Sequence, residues 1–235
     1  MTDQGSRNLS GNSQPARRDE VVQECETRRS SAIAGLKRAT AGPWVRVALP
    51  SNREAVTQLP FEHRERFQVH LRSIIAKASD TSAEPPEPIS TTDGAGESPV
   101  SQLLGRACGT CRGMCCRKAG DKNAYLAADS IQLYRARNPG ASTDEIVAAY
   151  MSRIPDETYE GSCVFHGRDG CVLPRQLRSE MCNWYLCDSL IELSRSVALE
   201  DRATVFAVAM RDREVDRLAV FDADRVLFEE EVLPA

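Results

Sequence analysis

Cys108-Gly-Thr-Cys111-Arg-Gly-Met-Cys115-Cys116 is the stretch on which the reading of this chain turns. In a Cys-x2-Cys pair the two thiolates can face one ion, because the residues between them close a tight loop around it. Gly105, Gly109, Gly113 and Gly120 surround the stretch. Glycine permits the positive φ such loops use, and it frees backbone N–H groups to bond sulfur. Cys115 and Cys116 are adjacent, so their side chains point in different directions and suit two centres or two faces of one. Downstream, Cys163, Cys171, Cys182 and Cys187 follow, completing eight cysteines within one region.

Eight thiolates allow two four-cysteine sites, since structural zinc is tetrahedral with four N/S ligands. Iron–sulfur clusters also take four cysteines. One four-cysteine site accompanied by four free or redox-active thiols is a further arrangement. Arg106, Arg112, Arg117, Lys118, Arg168, Arg175 and Arg178 lie near in sequence to offset the charge. Compartment bears on the choice. The polar stretch Met1–Glu20 lacks the apolar core of a signal peptide, and no apolar run is long enough to span a bilayer. The expectation is therefore a cytoplasmic protein, where thiols stay reduced and clustered cysteines hold metal or do redox chemistry. A net charge of -4 gives no reason to expect nucleic acid or an anionic membrane as partner.

Outward from the cysteines, the 235-residue chain divides by composition. Residues 1–19 are Ser/Asn/Gln/Arg-rich and predict a disordered tail. A helical N-terminal region follows over 20–78. Its first helix, about Asp19 to Arg38, aligns Val21, Val22, Cys25, Ala32, Ile33 and Leu36. A short extended connection holds Trp44-Val45-Arg46-Val47, and a second helix, about Arg53 to Ala78 with a break allowed at Pro60, carries the stripe Phe67, Leu71, Ile74, Ile75 and Ala78. Residues 79–99, rich in Pro, Gly and Ser, predict a flexible linker. The cysteine-cluster domain spans 100–190. Within it a helix runs from Ala127 to Asn138, and Ser142 with Glu145 forms a capping box before another. A tail over 191–235 adds the end of a short helix and a β-hairpin, Thr204–Met210 with Arg217–Phe221, with a third strand over Arg225–Glu229. The fold class expected is α+β, mostly helical, with an irregular metal-held cysteine-rich centre and a small C-terminal antiparallel hairpin.

Other residues weigh less. His166, between Cys163 and Cys171, is a loop or outer residue of the site more than a ligand. His63 and His70 are seven apart, too far to share an ion, and border an apolar helix face. Cys25 belongs to a helix core. Trp184-Tyr185 is expected to pack over the metal site and exclude water. No phosphate-binding glycine loop, Gly-x-Ser-x-Gly elbow or His-Glu-x-x-His is present.

The elements Cys108-Gly-Thr-Cys111-Arg-Gly-Met-Cys115-Cys116, Cys163-Val-Phe-His-Gly-Arg-Asp-Gly-Cys171 and Arg178-Ser-Glu-Met-Cys182-Asn-Trp-Tyr-Leu-Cys187 resemble the YkgJ-type cysteine-cluster family. The resemblance covers Leu104 to Asp188 and includes all eight cysteines. Val164 stands where the family commonly has proline, and Ser179 where it often has the proline of Arg-Pro, which touches loop shape and not ligands. The resemblance implies zinc or iron chelation, with no assigned reaction. A similar cluster in flagellin lysine N-methylases implies an iron–sulfur alternative, a methyltransferase-like enzyme. A redox or metal-trafficking protein is a third reading. The expected partners are a metal ion and, through the helical N-terminal region, another protein.

Overall fold

The alternation Val205-Phe206-Ala207-Val208-Ala209 builds the centre of the molecule. In the computed structural model, which describes residues 15–40, 42–80, 98–168, 170–198 and 202–232, this run is strand β6, Thr204–Arg211. It is buried on both faces, and successive side chains feed opposite cores, as a period of two dictates. Val205, Ala207 and Ala209 join Val47, Leu103, Ala107 and Leu193 on one side. Phe206 and Val208 join Val22, Cys25 and Ile33 on the other.

The sheet has four strands in the order β1-β6-β7-β8, with β1 Trp44–Pro50, β7 Glu214–Phe221 and β8 Val226–Glu231. The expected hairpin and third strand are there as an antiparallel meander. Asp212 and Arg213, both at positive φ, make its tight turn. The stretch expected to be a mere connection is instead strand β1, which pairs parallel with β6 and sets Trp44 opposite Thr204. No local pattern announces a partner so distant in sequence. The sheet is mixed, and the N-terminal region shares it with the C-terminal tail. Helices α1, Pro15–Arg28, and α2, Ser30–Ala39, cover one face. Helices α4, Pro99–Cys111, and α9, Asp188–Val197, cover the other. The single first helix expected from Asp19 is two, broken at Arg29, and it starts within the segment assigned to the tail. The rest of that tail, 1–14, and most of the expected linker, 81–97, lie outside the described residues.

A second core lies beside the sheet. Helix α3, Phe61–Asp80, starts just after Pro60, the break the sequence allows, and the stretch before it holds strand β2, Val56–Gln58, paired with β3, Glu157–Tyr159. Its stripe Phe67, Leu71, Ile74 and Ile75 packs with Ile131 of α6, Ala128–Arg137, and Ile146 and Tyr150 of α7, Thr143–Met151. Phe67 meets Phe165 edge-on at 5.0 Å. The capping box is present, with Ser142 Oγ accepting from the Glu145 amide at 3.2 Å. No helix among the described residues is long and apolar enough to cross a membrane.

Candidate metal centre

The eight cysteines lie along the seam between these cores. Cys108 and Cys111 close the C-terminal turns of α4 against the sheet core, and Cys187 packs there too. Cys163 belongs to the helical core, with Cys171 packed against it. The Cys-x2-Cys pair stands on a helix and not in the expected loop, with Gly105 and Gly109 inside its turns. That helix ends in a Schellman motif: Arg112 is left-handed, its N–H donates to Gly109 O at 3.0 Å, and the Gly113 N–H donates to Cys108 O at 3.3 Å. Gly113 is left-handed as well, so two consecutive αL residues swing the chain into α5, Met114–Lys118. The turn brings the Met114 N–H to Cys111 Sγ at 3.4 Å. It also lets Cys116 O accept from the Cys163 N–H at 3.2 Å, joining the two cysteine segments.

Mutual electrostatics divides the thiols. Burial pushes Cys108 up to about 12, and Cys115, Cys111 and Cys187 add to it. Cys111 is likewise held at about 12 by burial, opposed by the Met114 amide and reinforced by Cys115 and Cys187. Burial raises Cys187 as well, where it caps α9. Around Cys116 the neighbours are Cys115, then Cys163 and Cys171. Burial raises Cys163 to about 12, with Cys171 and Cys182 adding. Cys182, near the start of α8, Glu180–Trp184, is raised by burial, with Cys171 and then Cys115 adding to it. Two neighbourhoods follow: Cys108, Cys111, Cys115 and Cys187; then Cys116, Cys163, Cys171 and Cys182. At their junction a hydrogen bond from Cys116 lowers Cys115 and raises Cys116 itself. All nine cysteines are free thiols. Among the described residues, no three or more His, Cys, Asp or Glu side chains stand close enough together to hold one metal ion.

Two arginines attend the seam. Arg217, only 4% exposed, donates from Nε to Thr110 O at 2.9 Å and from Nη2 to Ser51 Oγ, Asn52 O and Cys111 O. It thus binds the last carbonyls of α4, where a helix dipole is negative. The Asn52 N–H also donates to Cys111 O, at 3.0 Å. Arg178 donates to Leu173 O at 2.7 Å and Cys171 O at 3.3 Å, and its charge reaches both Cys108 and Cys182. Of the other cations expected to offset the thiolates, Arg106 binds carbonyls of Ala223 and Asp224, Arg112 pairs with Glu231, Arg117 with Glu54, and Arg168 with Glu157. Arg217 escaped the sequence reading because it sits in the hairpin, far along the chain.

His166 is in strand β4, His166–Gly167, paired with β5, Gly170–Cys171, so that it lies opposite Cys171. It is buried, and that burial lowers its imidazole to about 4. His63 and His70 stay apart from the cysteines: His70 Nε2 lies 2.9 Å from Leu126 O, while His63 borders a separate hollow. Trp184 and Tyr185, expected to cover the site, stand at its solvent side, and Cys115 and Cys187 act on Tyr185. They are 60% and 47% exposed. The five-residue α8 leaves them beyond the packed layer. An open cleft of about 570 Å³, lined by Gln58, Asp156, Glu157, Arg168, Gly170 and Cys171, reaches one of the eight thiols from solvent. Compared with protein-family models, curated proteins and solved structures, the chain matches none.

Proposed function

We propose that this is a metal-binding protein holding zinc or iron in two four-thiolate sets, one of Cys108, Cys111, Cys115 and Cys187, the other of Cys116, Cys163, Cys171 and Cys182. What supports this is that Cys115 and Cys187 act on Cys108 and Cys111, whereas Cys171 acts on Cys116, Cys163 and Cys182, with Cys115 also reaching Cys116 and Cys182 where the sets adjoin. Four sulfurs per set suit tetrahedral zinc or an iron–sulfur cluster. The YkgJ-type resemblance points the same way. The donor chemistry fits: buried thiols, a backbone N–H on Cys111 Sγ, and arginines at the seam to balance thiolate charge. The thiols stand too far apart for three to share an ion, so loading requires rotamer changes that draw each set inward. When bound, metal supplies cross-links between α4, α5, the β4–β5 turn and the α8–α9 segment.

Elemental analysis of protein purified without air tests the proposal. Two equivalents of zinc, or iron with acid-labile sulfide, are expected. Cys111→Ser and Cys163→Ser should each lose one site and keep the other. Cys25→Ser should lose neither, because Cys25 sits in the α1 core against Phe206. Metal-free wild-type protein, or loss of metal on changing Cys25, sinks the assignment. The cleft at Cys171 favours a second reading, an iron–sulfur-dependent enzyme acting on a ligand bound there. Acid-labile sulfide moves the weight to it, and zinc alone removes it.

A further inference from the structure

The buried imidazole of His166 has one nitrogen satisfied and one not. Nδ1 lies 2.7 Å from Ser162 Oγ, the ring stacks on Tyr159 at 4.6 Å, and only 1% of the residue is exposed. Nε2 has no partner. Leaving such a group unpaired costs about 1–3 kcal/mol, so a buried orphan calls for an explanation. What faces it is Gly113. A side-chain carbon built there would overlap Nε2 and lie 3.3 Å from Cys116 Sγ. The missing methyl of one glycine is therefore the gap between the imidazole and a sulfur of the second set. His166 is also carried by the backbone that holds that set: its N–H donates to Cys163 O at 2.9 Å, and it pairs with Cys171.

Resting on the two-set reading, we propose that His166 is a positioning residue of the second set, its Nε2–H donating to the Cys116 thiolate when metal is bound. The Ser162 hydroxyl donates to Nδ1 and so keeps the proton on Nε2. Four sulfurs already complete a tetrahedron, so the nitrogen acts on a ligand and not on the metal. Such outer contacts orient ligand sulfur and withdraw charge from it.

Full-length protein loaded with zinc, and in parallel with cobalt(II), decides this by chelator competition and absorption. His166→Phe keeps a ring against Tyr159 but removes the donor. It should weaken one of the two sites by about 10–100-fold, the usual cost of losing an outer-shell partner. The cobalt–thiolate charge-transfer band of that site should move to lower energy, and the other site should not change. His166→Gln, which returns an N–H near the same place, should restore most of the affinity. Ser162→Ala, which releases the tautomer, should weaken the same site less, and it decides the matter should the Phe variant not fold. Wild-type affinity and band in both His166→Phe and Ser162→Ala overturn the proposal while leaving the two-set reading intact. A nitrogen-ligand cobalt signature lost in His166→Phe overturns it too, by making the histidine a ligand. Wild-type protein that takes up no zinc or cobalt sinks both.

Discussion

Arg217 shows how much one residue of the hairpin controls at the cysteine seam. Its guanidinium is buried among neutral acceptors, the carbonyls of Thr110, Cys111 and Asn52 and the hydroxyl of Ser51, and desolvation lowers its ordinarily high pKa. Replacing it strands the Thr110 and Asn52 carbonyls, while Cys111 O keeps the Asn52 N–H. Arg217→Met should lower stability by about 3 kcal/mol, since each stranded buried acceptor costs on the order of 1–3 kcal/mol. Urea unfolding would measure it, and a loss below about 1 kcal/mol would show the carbonyls finding other donors. Gly113 makes a second case at this scale. Gly113→Ala meets both a left-handed backbone and the imidazole of His166, whereas Gly140→Ala, also at positive φ, meets open space. The Gly140 variant should cost about 1 kcal/mol of backbone strain and the Gly113 variant at least twice that. Equal melting shifts for the two would mean that the histidine yields without cost.

Elements whose signals are local were legible in the sequence. The capping box at Ser142 is one: hydroxyl and carboxylate sit three residues apart, which is all the motif needs. Ser142→Ala should destabilise by about 1 kcal/mol, read as a lower melting temperature, and an unchanged temperature would mean that water caps α7 equally well. The meander was legible too, because Val205 to Ala209 alternate between faces. Helix α4 was not. Its glycines suggested loops, yet Gly105 and Gly109 accept helical φ and ψ with nothing within 4 Å of a would-be side chain. Strand β1 was missed because its partner lies far along the chain. The candidate site was half legible. Cysteine spacing pointed to eight thiols, and Cys115-Cys116 to two centres or two faces of one, but the proposed partition of the other six depends on tertiary placement, as do Arg217 and the orphan nitrogen of His166.

For the whole molecule, the proposed reading makes metal and proton compete for the same sulfurs. Burial holds Cys108, Cys111 and Cys163 at about 12, well above an unfolded thiol. In metal-free protein this raised value favours the folded state fully below about pH 8.5, the ordinary thiol pKa, and the advantage is lost as pH rises toward 12. The urea midpoint of chelator-treated protein should therefore fall between pH 8 and pH 10.5. That of metal-loaded protein, whose thiolates are already deprotonated, should change less. A metal-free midpoint flat across this range would mean that the thiols are wetter than their burial implies.

The parallel pairing of Trp44 with Thr204 also orders events on the ribosome. Chain emerges at roughly 5–20 residues per second, so the first strand waits on the order of ten to thirty seconds for its neighbour to be made. All eight seam cysteines are synthesised within that wait, before the central strand exists to cover Cys108, Cys111 and Cys187. The nascent chain thus carries those three thiols uncovered while three of the four strands are still unwritten, and on the proposed reading the last strands close over whatever metal has been captured.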